Sequence, residues 1–248
     1  MKKYRVMVAL RIGGENGGPY ISHKRIMESN LADQYEFIPL WVPRARYLLN
    51  PLNMAKFAYD IYLEKPDLVQ LAGLQLEAFL PLIACRLARV KTIVAVHGSI
   101  LESERAGCVE KFLAKFFEKY TVNHATAVYG VSDYVSGWEI CKEAKNYFGT
   151  IYNFCLPKVD KKETTEASIR SELGLSKDDV LFVSSGRIVE EKGFDILWSA
   201  IQSVGHRNNI KYIVIGDGPY KNEWQAEIRE KGYENEVYLL GYRENVVQ

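Results

Sequence analysis

The sequence predicts an α/β protein with two parallel sheets, each wrapped by helices. Short apolar runs rich in Val, Ile and Tyr alternate with helix-length segments almost from end to end, as expected for parallel strands joined by helical crossovers. A polar stretch without a strand, residues 156–179, interrupts this alternation once. At 248 residues the chain has the length of one large or two ordinary domains. We therefore expect two domains, at residues 1–160 and 161–248.

The first domain is expected to contain six strands separated by helices. The expected strands cover residues 4–10, 35–41, 67–72, 92–96, 125–131 and 149–152, and the expected helices include residues 52–63, 76–87, 109–122 and 134–147. Right-handed crossovers place the loops that follow parallel strands along one edge of the sheet, where ligands bind. Residues just after a predicted strand are therefore the first candidates for a functional site.

The second domain is expected to begin with a linker and to be small. Within the polar stretch we predict one short helix, at residues 167–173. The alternation then continues with strands at residues 180–185, 211–215 and 237–241 and with helices that start at Phe194 and Pro219. Three strands and two helices form a small core, so we expect this domain to be incomplete.

The composition excludes several classes of protein. A net charge of +1 argues against nucleic-acid binding. The four cysteines stand far apart, with no CxxC pair and no Cys/His cluster at metal-ligand spacing, which predicts reduced thiols and no metal site. No apolar run has the length of a signal-peptide core or of a bilayer. We therefore expect a cytoplasmic protein with at most a peripheral membrane contact.

The segment SSGRIVEEKGFDIL, residues 184–197, leads from an apolar strand, which we expect to be buried, into an apolar helix. The free N–H groups of a helix start, together with the helix dipole, favour an anion. The planar guanidinium group of Arg187 can donate two parallel hydrogen bonds to phosphate oxygens, and Lys192 adds a point charge. These residues predict a diphosphate site. The alternative, on spacing alone, is a surface loop in which both cations pair with Glu190 and Glu191.

The segment IGDGPY, residues 215–220, is a glycine-rich turn between a strand and a helix. Gly216 and Gly218 allow a tight turn with positive φ, and Pro219 suits the first turn of a helix. On its own this pattern indicates only strand, turn and helix, so a purely structural turn is the alternative interpretation.

The segment RIGGENGGPYISH, residues 11–23, follows the first strand. Its four glycines let a ligand approach the backbone, although their order does not give the GxGxxG fingerprint of dinucleotide-binding proteins. A nicotinamide-dependent enzyme is disfavoured for this reason, and because no acidic residue clearly ends the second strand. A loop without a ligand is the alternative.

His97 in the segment VAVHGS lies just past the end of a predicted strand. At that edge an imidazole can donate a hydrogen bond to a ligand or act as a base. A structural histidine is the alternative. No Ser/His/Asp or Cys/His set for nucleophilic catalysis is evident in the sequence.

The segment EKFLAKFFEKY, residues 110–120, predicts an amphipathic helix. One face carries Phe112, Leu113, Phe116, Phe117 and Tyr120, and another carries Lys111, Lys115 and Lys119. We interpret the apolar face as core packing, because a strand follows at once and needs cover. A helix that lies on a membrane surface is the alternative.

Taken together, these segments resemble the retaining glycosyltransferases of the GT-B fold known as family 4, or glycosyl transferases group 1. The resemblance is carried, in order, by SSGRIVEEKGFDIL, IGDGPY and VYLLGY, and is supported by GGENGG, VHG, YGVSDYV and IYNF. It covers essentially the whole chain. It implies two Rossmann-like domains that face a cleft, the first on the acceptor side and the second binding a nucleotide-sugar donor.

The resemblance also implies roles for individual residues. The family residues that match Arg187 and Lys192 hold the donor diphosphate, and the histidine that matches His97 lies beside the transferred sugar. No metal or further cofactor is expected, because the two cations do the work of a metal ion. The other donor-binding positions that the resemblance implies are Gly17, Gly18, Gly186, Gly193, Gly216, Gly218 and Tyr242.

The implied reaction moves a hexose from a nucleotide sugar to a glycan or lipid-linked acceptor, in polysaccharide or glycoconjugate biosynthesis. The sugar–phosphate bond breaks through an oxocarbenium-like state while the cations neutralise the departing diphosphate. The acceptor hydroxyl then attacks from the same face, which retains the anomeric configuration. This mechanism requires no side-chain nucleophile.

The sequence departs from the family pattern at two places. Past VYLLGY the family continues to two glutamates that contact the donor, whereas residues 243–248 stop before them. Asn153 is followed by Phe154, where the family usually has glycine. We therefore expect that the sequence either is a fragment or is that of a truncated product, and that as written it lacks part of the donor site. A non-catalytic remnant, or a binding subunit that needs a partner chain to complete the site, is the alternative function.

Overall fold

The computed structural model describes residues 3–13, 17–44, 50–104, 106–153 and 166–243. It divides into two compact units, Met1–Cys155 and Leu156–Gln248. Each unit has its own parallel sheet, so the predicted fold class, two parallel α/β domains, is confirmed. Phe154 and the expected linker up to residue 165 lie outside the described residues.

The first unit alternates strands and helices, as the sequence predicts. Its elements are β1 (Tyr4–Arg11), α1 (Gly18–Met27), a 3-10 turn (Asn30–Asp33), β2 (Tyr35–Val42), α2 (Pro51–Glu64), β3 (Leu68–Ala72), α3 (Leu76–Leu87), β4 (Lys91–Val96), α4 (Cys108–His124), β5 (Ala127–Gly130), α5 (Asp133–Ser136), α6 (Glu139–Lys142) and β6 (Tyr147–Thr150). The one helix predicted at residues 134–147 is wrong. Gly137 ends α5 and the extended backbone of Trp138 starts α6, so the segment forms two short helices.

The sheet of the first unit is entirely parallel and has the strand order β2-β1-β3-β4-β5-β6. The chain leaves β1 towards β2 on one side and returns to β3 on the other. The loops after β1 and β3 therefore diverge, which opens a crevice at the carboxyl ends of these strands. Pro39 lies on the edge strand β2. Proline has no N–H to donate, but at the edge of the sheet this removes no hydrogen bond between inner strands.

A helical layer covers the first sheet. Helix α3 packs between α2 and α4, and apolar side chains of all three are buried against the strands. The buried side chains include Phe57 and Ile61 of α2, Leu82 of α3 and Val122 of α4, which meet Met7, Leu71 and Val94 of the sheet. The layer begins at Asn50, whose side chain accepts a hydrogen bond of 3.0 Å from Leu52 N and so caps α2.

Helix α4 does not pack as expected. Phe112 and Phe116, which we interpreted as core residues, are 77% and 62% exposed. The buried side of the first turns carries Ala114 and the carboxyl group of Glu118 instead. Phe117 does pack against Phe79 of α3, with ring centroids 4.9 Å apart. Core packing is therefore the wrong interpretation for Phe112 and Phe116 and the correct one for Phe117.

The second unit contains α7 (Glu166–Leu173), β7 (Val180–Ser185), a 3-10 turn (Glu190–Lys192), α8 (Phe194–Val204), β8 (Ile210–Ile215), α9 (Lys221–Glu230) and β9 (Val237–Gly241). Its parallel sheet has the order β7-β8-β9. Trp198 of α8 and Trp224 of α9 meet edge to face, 6.0 Å apart, in the core. The three described strands and their helices make this the smaller unit.

Candidate functional site

Arg187 and Lys192 lie in the loop that joins β7 to α8, at the carboxyl edge of the second sheet. Both side chains are exposed. Among the side chains that the structure describes, none forms a salt bridge with either of them. The two cations are therefore available to an anionic ligand, although the side chain of Glu191 lies outside the described residues.

Gly193 sets the start of helix α8 directly after Lys192. Its backbone is left-handed, with φ +68° and ψ 25°, a conformation that costs other residues about 1–2 kcal/mol. No side chain caps the start of α8, so its first N–H groups are free to bind an anion. Lys192 ends the 3-10 turn that precedes this glycine and thus adds its charge at the positive end of the helix dipole.

Gly216 and Gly218 hold the loop of Arg187 in place. A Cβ at Gly216 would lie 1.8 Å from the carbonyl oxygen of Gly186, and one at Gly218 would lie 2.1 Å from that of Ile188. The two loops are joined by hydrogen bonds from Gly186 N to Ile215 O and from Ile188 N to Asp217 O, of 3.0 and 2.9 Å. The backbone on both sides of Arg187 is therefore fixed by the neighbouring turn.

The reason for the second glycine differs from our expectation. Gly216 has φ +148°, but Gly218 does not have a positive φ. A positive φ is therefore the wrong explanation for Gly218, which is required because the carbonyl oxygen of Ile188 passes so close to it. That contact joins residues far apart in sequence, so local pattern could not indicate it.

Asp217 and Tyr242 complete the described edge of the second sheet. The backbone N–H of Gly218 and the ammonium group of Lys221 lower the pKa of Asp217, through hydrogen bonds of 2.8 and 3.2 Å. The aspartate charge is thus already balanced within its own turn. Tyr242 follows β9 and is exposed, so its ring is available at the same edge.

A cavity of about 300 Å³ lies between α8 and α9 but does not contain the two cations. Its walls combine the aromatic rings of Phe194, Trp198, Tyr220 and Trp224 with the carboxyl groups of Glu190, Asp195, Glu223 and Glu227. Carboxyl groups repel a diphosphate, so this cavity is a poor site for one.

The first unit has a cavity of about 380 Å³ at the carboxyl ends of β1, β3 and β4, in the crevice that the strand order predicts. It is lined by Ala9, Arg11, Pro19, Tyr20, Val42, Ala72, Gly73, Gln75, Glu77, His97 and Gly98. The sequence-predicted residue His97 therefore faces the open space at this edge. Gly17 and Gly18 stand immediately before two of the lining residues, at the start of α1.

Gly17 and Gly18 form the N-terminus of α1 without a side-chain cap. A Cβ at Gly18 would meet no atom within 4 Å, so no described neighbour explains the absence of a side chain. Ser22, one turn further on, donates a hydrogen bond of 3.0 Å to the side chain of Asn153. Asn153 belongs to the IYNF segment, so the structure brings two of the recognised motifs together.

The imidazole of His97 is neutral near pH 7. Burial and, to a smaller extent, the neighbouring ring of His23 together lower the pKa of His97 to about 4; the two ring centroids are 6.2 Å apart. Its Nε2 atom is buried and has no hydrogen-bond partner among the described residues. A buried nitrogen without a partner beside a cavity is suited to a hydroxyl group of a ligand.

His23 lies against His97 and was not predicted from the sequence. It is fully buried, and its Nδ1 lies 2.8 Å from Ala9 O, which can only accept a hydrogen bond. Nδ1 therefore carries the hydrogen, and Nε2 accepts from the Gln70 amide at 3.4 Å. Gln70 also donates to the hydroxyl of Tyr129 at 3.0 Å. This network fixes the ring that contacts His97.

Glu118 of α4 holds the loop that follows His97. Its carboxyl group is fully buried and accepts hydrogen bonds from Ser99 Oγ at 2.5 Å, Ile100 N at 2.7 Å and Gln75 Nε2 at 3.2 Å. No local pattern indicates this role directly, because Glu118 lies between lysines in a charged helix. The indirect sign is spacing: Glu118 lies one helical turn from buried Ala114 and Val122.

The structure predicts a pH dependence of stability at His97. An unfolded histidine has a pKa of about 6.5, whereas that of folded His97 is about 4. Between these values the unfolded chain binds a proton that the folded chain does not, so the free energy of unfolding falls as the pH falls through this window. We expect His97→Gln to reduce this dependence, measured by urea unfolding between about pH 7.5 and about pH 4.5. Equal slopes for both proteins would contradict the neutral buried imidazole.

Replacement of Glu118 by alanine should destabilise the first unit by about 3 kcal/mol. The physical reason is that three partly buried donors lose their fully buried acceptor at once. Urea unfolding measures the loss, and hydrogen exchange of residues 98–101 should rise because the loop is released. Glu104→Ala, at an exposed position of the same unit, is the control and should leave both quantities unchanged. A similar loss in both variants would show that the contacts of Glu118 are unimportant.

Within the described ranges, no group of three or more His, Cys, Asp or Glu side chains is placed to hold a metal ion. None of the described helices is both long enough and apolar enough to cross a bilayer. Cys85 and Cys141 are buried free thiols and Cys108 is an exposed one; burial raises the pKa of Cys85 to about 12 and that of Cys141 to about 11.

Comparison with curated proteins finds several glycosyltransferases. The chain is 28% identical over 163 residues to MJ1059 of Methanocaldococcus jannaschii, an uncharacterized glycosyltransferase, covering 62% of this chain and 39% of that protein. It is 27% identical over 198 residues to TuaC of Bacillus subtilis, a putative teichuronic acid biosynthesis glycosyltransferase, covering 78% and 46%. The chain thus spans less than half the length of these two relatives.

Solved structures share the fold at low sequence identity. Anabaena HepE in complex with UDP and glucose has a TM-score of 0.71 and 20% identity, over 98% of this chain and 71% of that chain. Staphylococcus aureus MnaA with UDP has a TM-score of 0.64 and 13% identity, over 98% and 70%. These likenesses establish the two-domain architecture and leave the reaction open.

Two family models match the sequence itself. The model of glycosyl transferases group 1 matches residues 165–248, which include both cations and the glycine turn. The model of the glycosyl transferase 4-like domain matches residues 18–136, which include His97. Together with the relatives and the fold, these matches show that the chain belongs to the group 1, family 4 glycosyltransferases of the GT-B fold.

Proposed function

We propose that this protein transfers a hexose from a nucleotide-diphosphate sugar to a glycan or a lipid-linked acceptor, with retention of the anomeric configuration. One observation carries the proposal: Arg187 and Lys192 are exposed beside the uncapped start of α8, with no salt bridge to a described side chain. Two cations and free N–H groups at the carboxyl edge of a parallel sheet form a site for a diphosphate.

The proposed chemistry begins with cleavage of the bond between the anomeric carbon and the diphosphate oxygen. The electron pair leaves with the diphosphate, whose added negative charge is stabilised by Arg187, Lys192 and the N–H groups of α8. The acceptor hydroxyl forms the new bond from the same face and gives up its proton to the departing phosphate oxygen. The diphosphate carries more negative charge in the transition state than in the ground state, so the cations bind it more tightly there. They therefore lower the barrier to the reaction.

The first unit is proposed to hold the sugar. His97 lines the cavity and its buried Nε2 has no partner among the described residues; because the imidazole is neutral, it can donate to or accept from a sugar hydroxyl. The bare surface at Gly18 leaves room for a ligand at the start of α1. We assign no metal ion to the reaction, since Arg187 and Lys192 supply positive charge where a metal would otherwise stand.

The relatives favour particular substrates for this proposal. HepE was crystallised with UDP and with UDP-glucose, so UDP is the first nucleotide to test. TuaC is described as a putative enzyme of teichuronic acid biosynthesis, which favours a product among polysaccharides or glycoconjugates. We place such an enzyme in the cytoplasm or at its membrane surface.

Calorimetric titration with UDP and GDP tests the proposed donor site. We expect saturable binding of one of them, with unchanged affinity in the presence of EDTA. Hydrolysis of the corresponding nucleotide sugar, measured as release of the nucleoside diphosphate, then distinguishes an enzyme from a binding subunit. Binding without any turnover would favour a binding subunit that acts alone or with a partner chain. Failure of both nucleotides to bind would refute the donor site.

A further inference from the structure

The cavity between α8 and α9, which we call the α8–α9 cavity, has walls that the proposed reaction does not use. Its volume is about 300 Å³, which lies at the lower end of the range for small-molecule sites. Four aromatic rings line it together with four carboxyl groups, and no lysine, arginine or histidine is among its described lining residues. The cavity thus combines aromatic surface with negative charge.

The spacing of residues on the two helices produces this combination. On α8, Asp195 and Trp198 are three positions apart. On α9, Glu223 and Trp224 lie four and three positions before Glu227. Because positions three or four apart share one side of a helix, each helix presents an indole ring and at least one carboxyl group to the same groove.

The aromatic part of the cavity is held in place by its own contacts. Trp224 meets the rings of Phe194 and Trp198 edge to face, with centroids 5.8 and 6.0 Å apart. The indole N–H of Trp198 donates a hydrogen bond of 2.5 Å to the carboxyl group of Glu227, which fixes that group beside the rings. A ligand that binds to groups already in place loses less free energy to their ordering.

Two carboxyl groups of the cavity are open to solvent. Asp195 and Glu223 are both exposed, and among the described side chains none forms a salt bridge with either. The ammonium group of Lys221, close to Glu223 in sequence, pairs instead with Asp217 at 3.2 Å. The negative charge of these two carboxyl groups is therefore available to a positively charged ligand.

The protein itself places one ammonium group against this aromatic cluster. Lys231 Nζ lies 6.0 Å from the ring centre of Trp198, about the distance within which a cation is attracted to an aromatic face. Lys231 is not one of the lining residues, and its ammonium group donates a hydrogen bond of 2.6 Å to Gln202 Oε1. The α8–α9 cavity therefore remains open to a second cation, from solution.

The chemistry of the walls selects the class of ligand. Aromatic faces carry negative partial charge and attract cations, as carboxylates do. A phosphate is repelled by the carboxylates, and a neutral sugar gains nothing from their charge. A metal ion needs several ligands that converge, and no such group occurs among the described residues. An ammonium group with carbon substituents suits both kinds of wall, because its carbon atoms can contact the rings while its charge faces the carboxylates.

We propose that the α8–α9 cavity binds a small organic cation, an ammonium group that carries alkyl substituents. Its charge lies against Asp195 and Glu223, and its carbon atoms pack on the aromatic rings. Residues 188–190 line the cavity and belong to the segment that joins Arg187 to Lys192, so the ligand lies beside the donor loop. The proposal goes beyond the proposed function and does not depend on nucleotide binding.

Choline and its uncharged isostere 3,3-dimethylbutan-1-ol test the proposal, at constant ionic strength and without nucleotide. NMR of the indole N–H groups reports where binding occurs: with choline the signals of Trp198 and Trp224 should shift, and those of Trp41 and Trp138 in the first unit should not. We expect choline to saturate with a Kd of about 1 mM or below. The isostere should bind at least about tenfold more weakly, since it lacks the charge.

The double variant Asp195→Asn/Glu223→Gln tests the carboxyl groups and should lower the affinity for choline by about fivefold or more. Its matched control is Asp178→Asn/Glu230→Gln, which removes the same two charges from exposed positions of the second unit outside the cavity. The control should bind choline as the wild type does. An equal loss in both double variants would show a response to net charge alone and would overturn the proposal.

Tyr220 tests the aromatic wall, because its ring is 46% exposed and can be removed without opening the core. Tyr220→Ala should lower the affinity for choline by about threefold or more, whereas Tyr220→Phe keeps the ring and should bind choline as the wild type does. Equal binding of choline and its isostere overturns the proposal, since the cavity then takes an apolar ligand. The absence of saturable choline binding, or equal shifts at all four tryptophans, overturns it as well.

Discussion

Gly216→Ala should destabilise the second unit by about 3 kcal/mol or more. The new methyl carbon would lie 1.8 Å from the carbonyl oxygen of Gly186, which is backbone and cannot swing aside. The φ of +148° adds strain for any residue with a Cβ. Gly218→Ala should behave similarly, because its methyl carbon would lie 2.1 Å from Ile188 O. Urea unfolding followed by the fluorescence of Trp198 and Trp224 measures the loss.

Two control variants separate the close approach from other effects of adding a methyl group. Gly232 also has a positive φ, of +74°, but a Cβ there meets nothing within 4 Å, so Gly232→Ala should cost only about 1–2 kcal/mol. Gly18→Ala meets neither a clash nor a positive φ and should leave the free energy of unfolding unchanged or slightly higher. Equal losses for Gly216→Ala and Gly232→Ala would contradict a role for the contact with Gly186.

The order of strands and helices was predictable because apolar periodicity is a local property. The helix at Leu76–Leu87 has the predicted bounds, and α8 begins at Phe194, directly after the glycine that the sequence marked. The prediction failed at residues 134–147, where the extended backbone of Trp138 divides the segment. A periodic pattern alone does not report such a break.

The parts of the candidate site differ in how far sequence reveals them. Arg187 and Lys192 belong to a single loop and a helix start, so local reasoning finds them. Glu118 acts through Ser99 and Gln75, which lie 19 and 43 residues away, so only the folded chain brings them together. For α4 the pattern correctly predicted an amphipathic helix, but it did not indicate that Phe112 and Phe116 are exposed.

The cations should dominate binding of the donor nucleotide. We expect Arg187→Ala to lower the affinity for UDP by about tenfold to a hundredfold and Lys192→Ala by about tenfold, since each removes a charged hydrogen bond to the diphosphate. Arg187→Lys should fall between, because it keeps the charge and loses the planar fork. If the chain turns over nucleotide sugars, the loss in kcat should exceed the loss in affinity, because negative charge on the diphosphate grows in the transition state.

These losses should arise without a change in stability, because both cations are exposed and no described side chain forms a salt bridge with them. Arg207→Ala and Lys177→Ala, at exposed positions of the same unit, are the matched controls for the general effect of removing a positive charge. Calorimetry at two salt concentrations strengthens the comparison, since screening weakens a distant charge more than a direct contact. If all four variants lose affinity equally, the site responds only to net charge, and the assignment of the diphosphate to Arg187 and Lys192 is wrong.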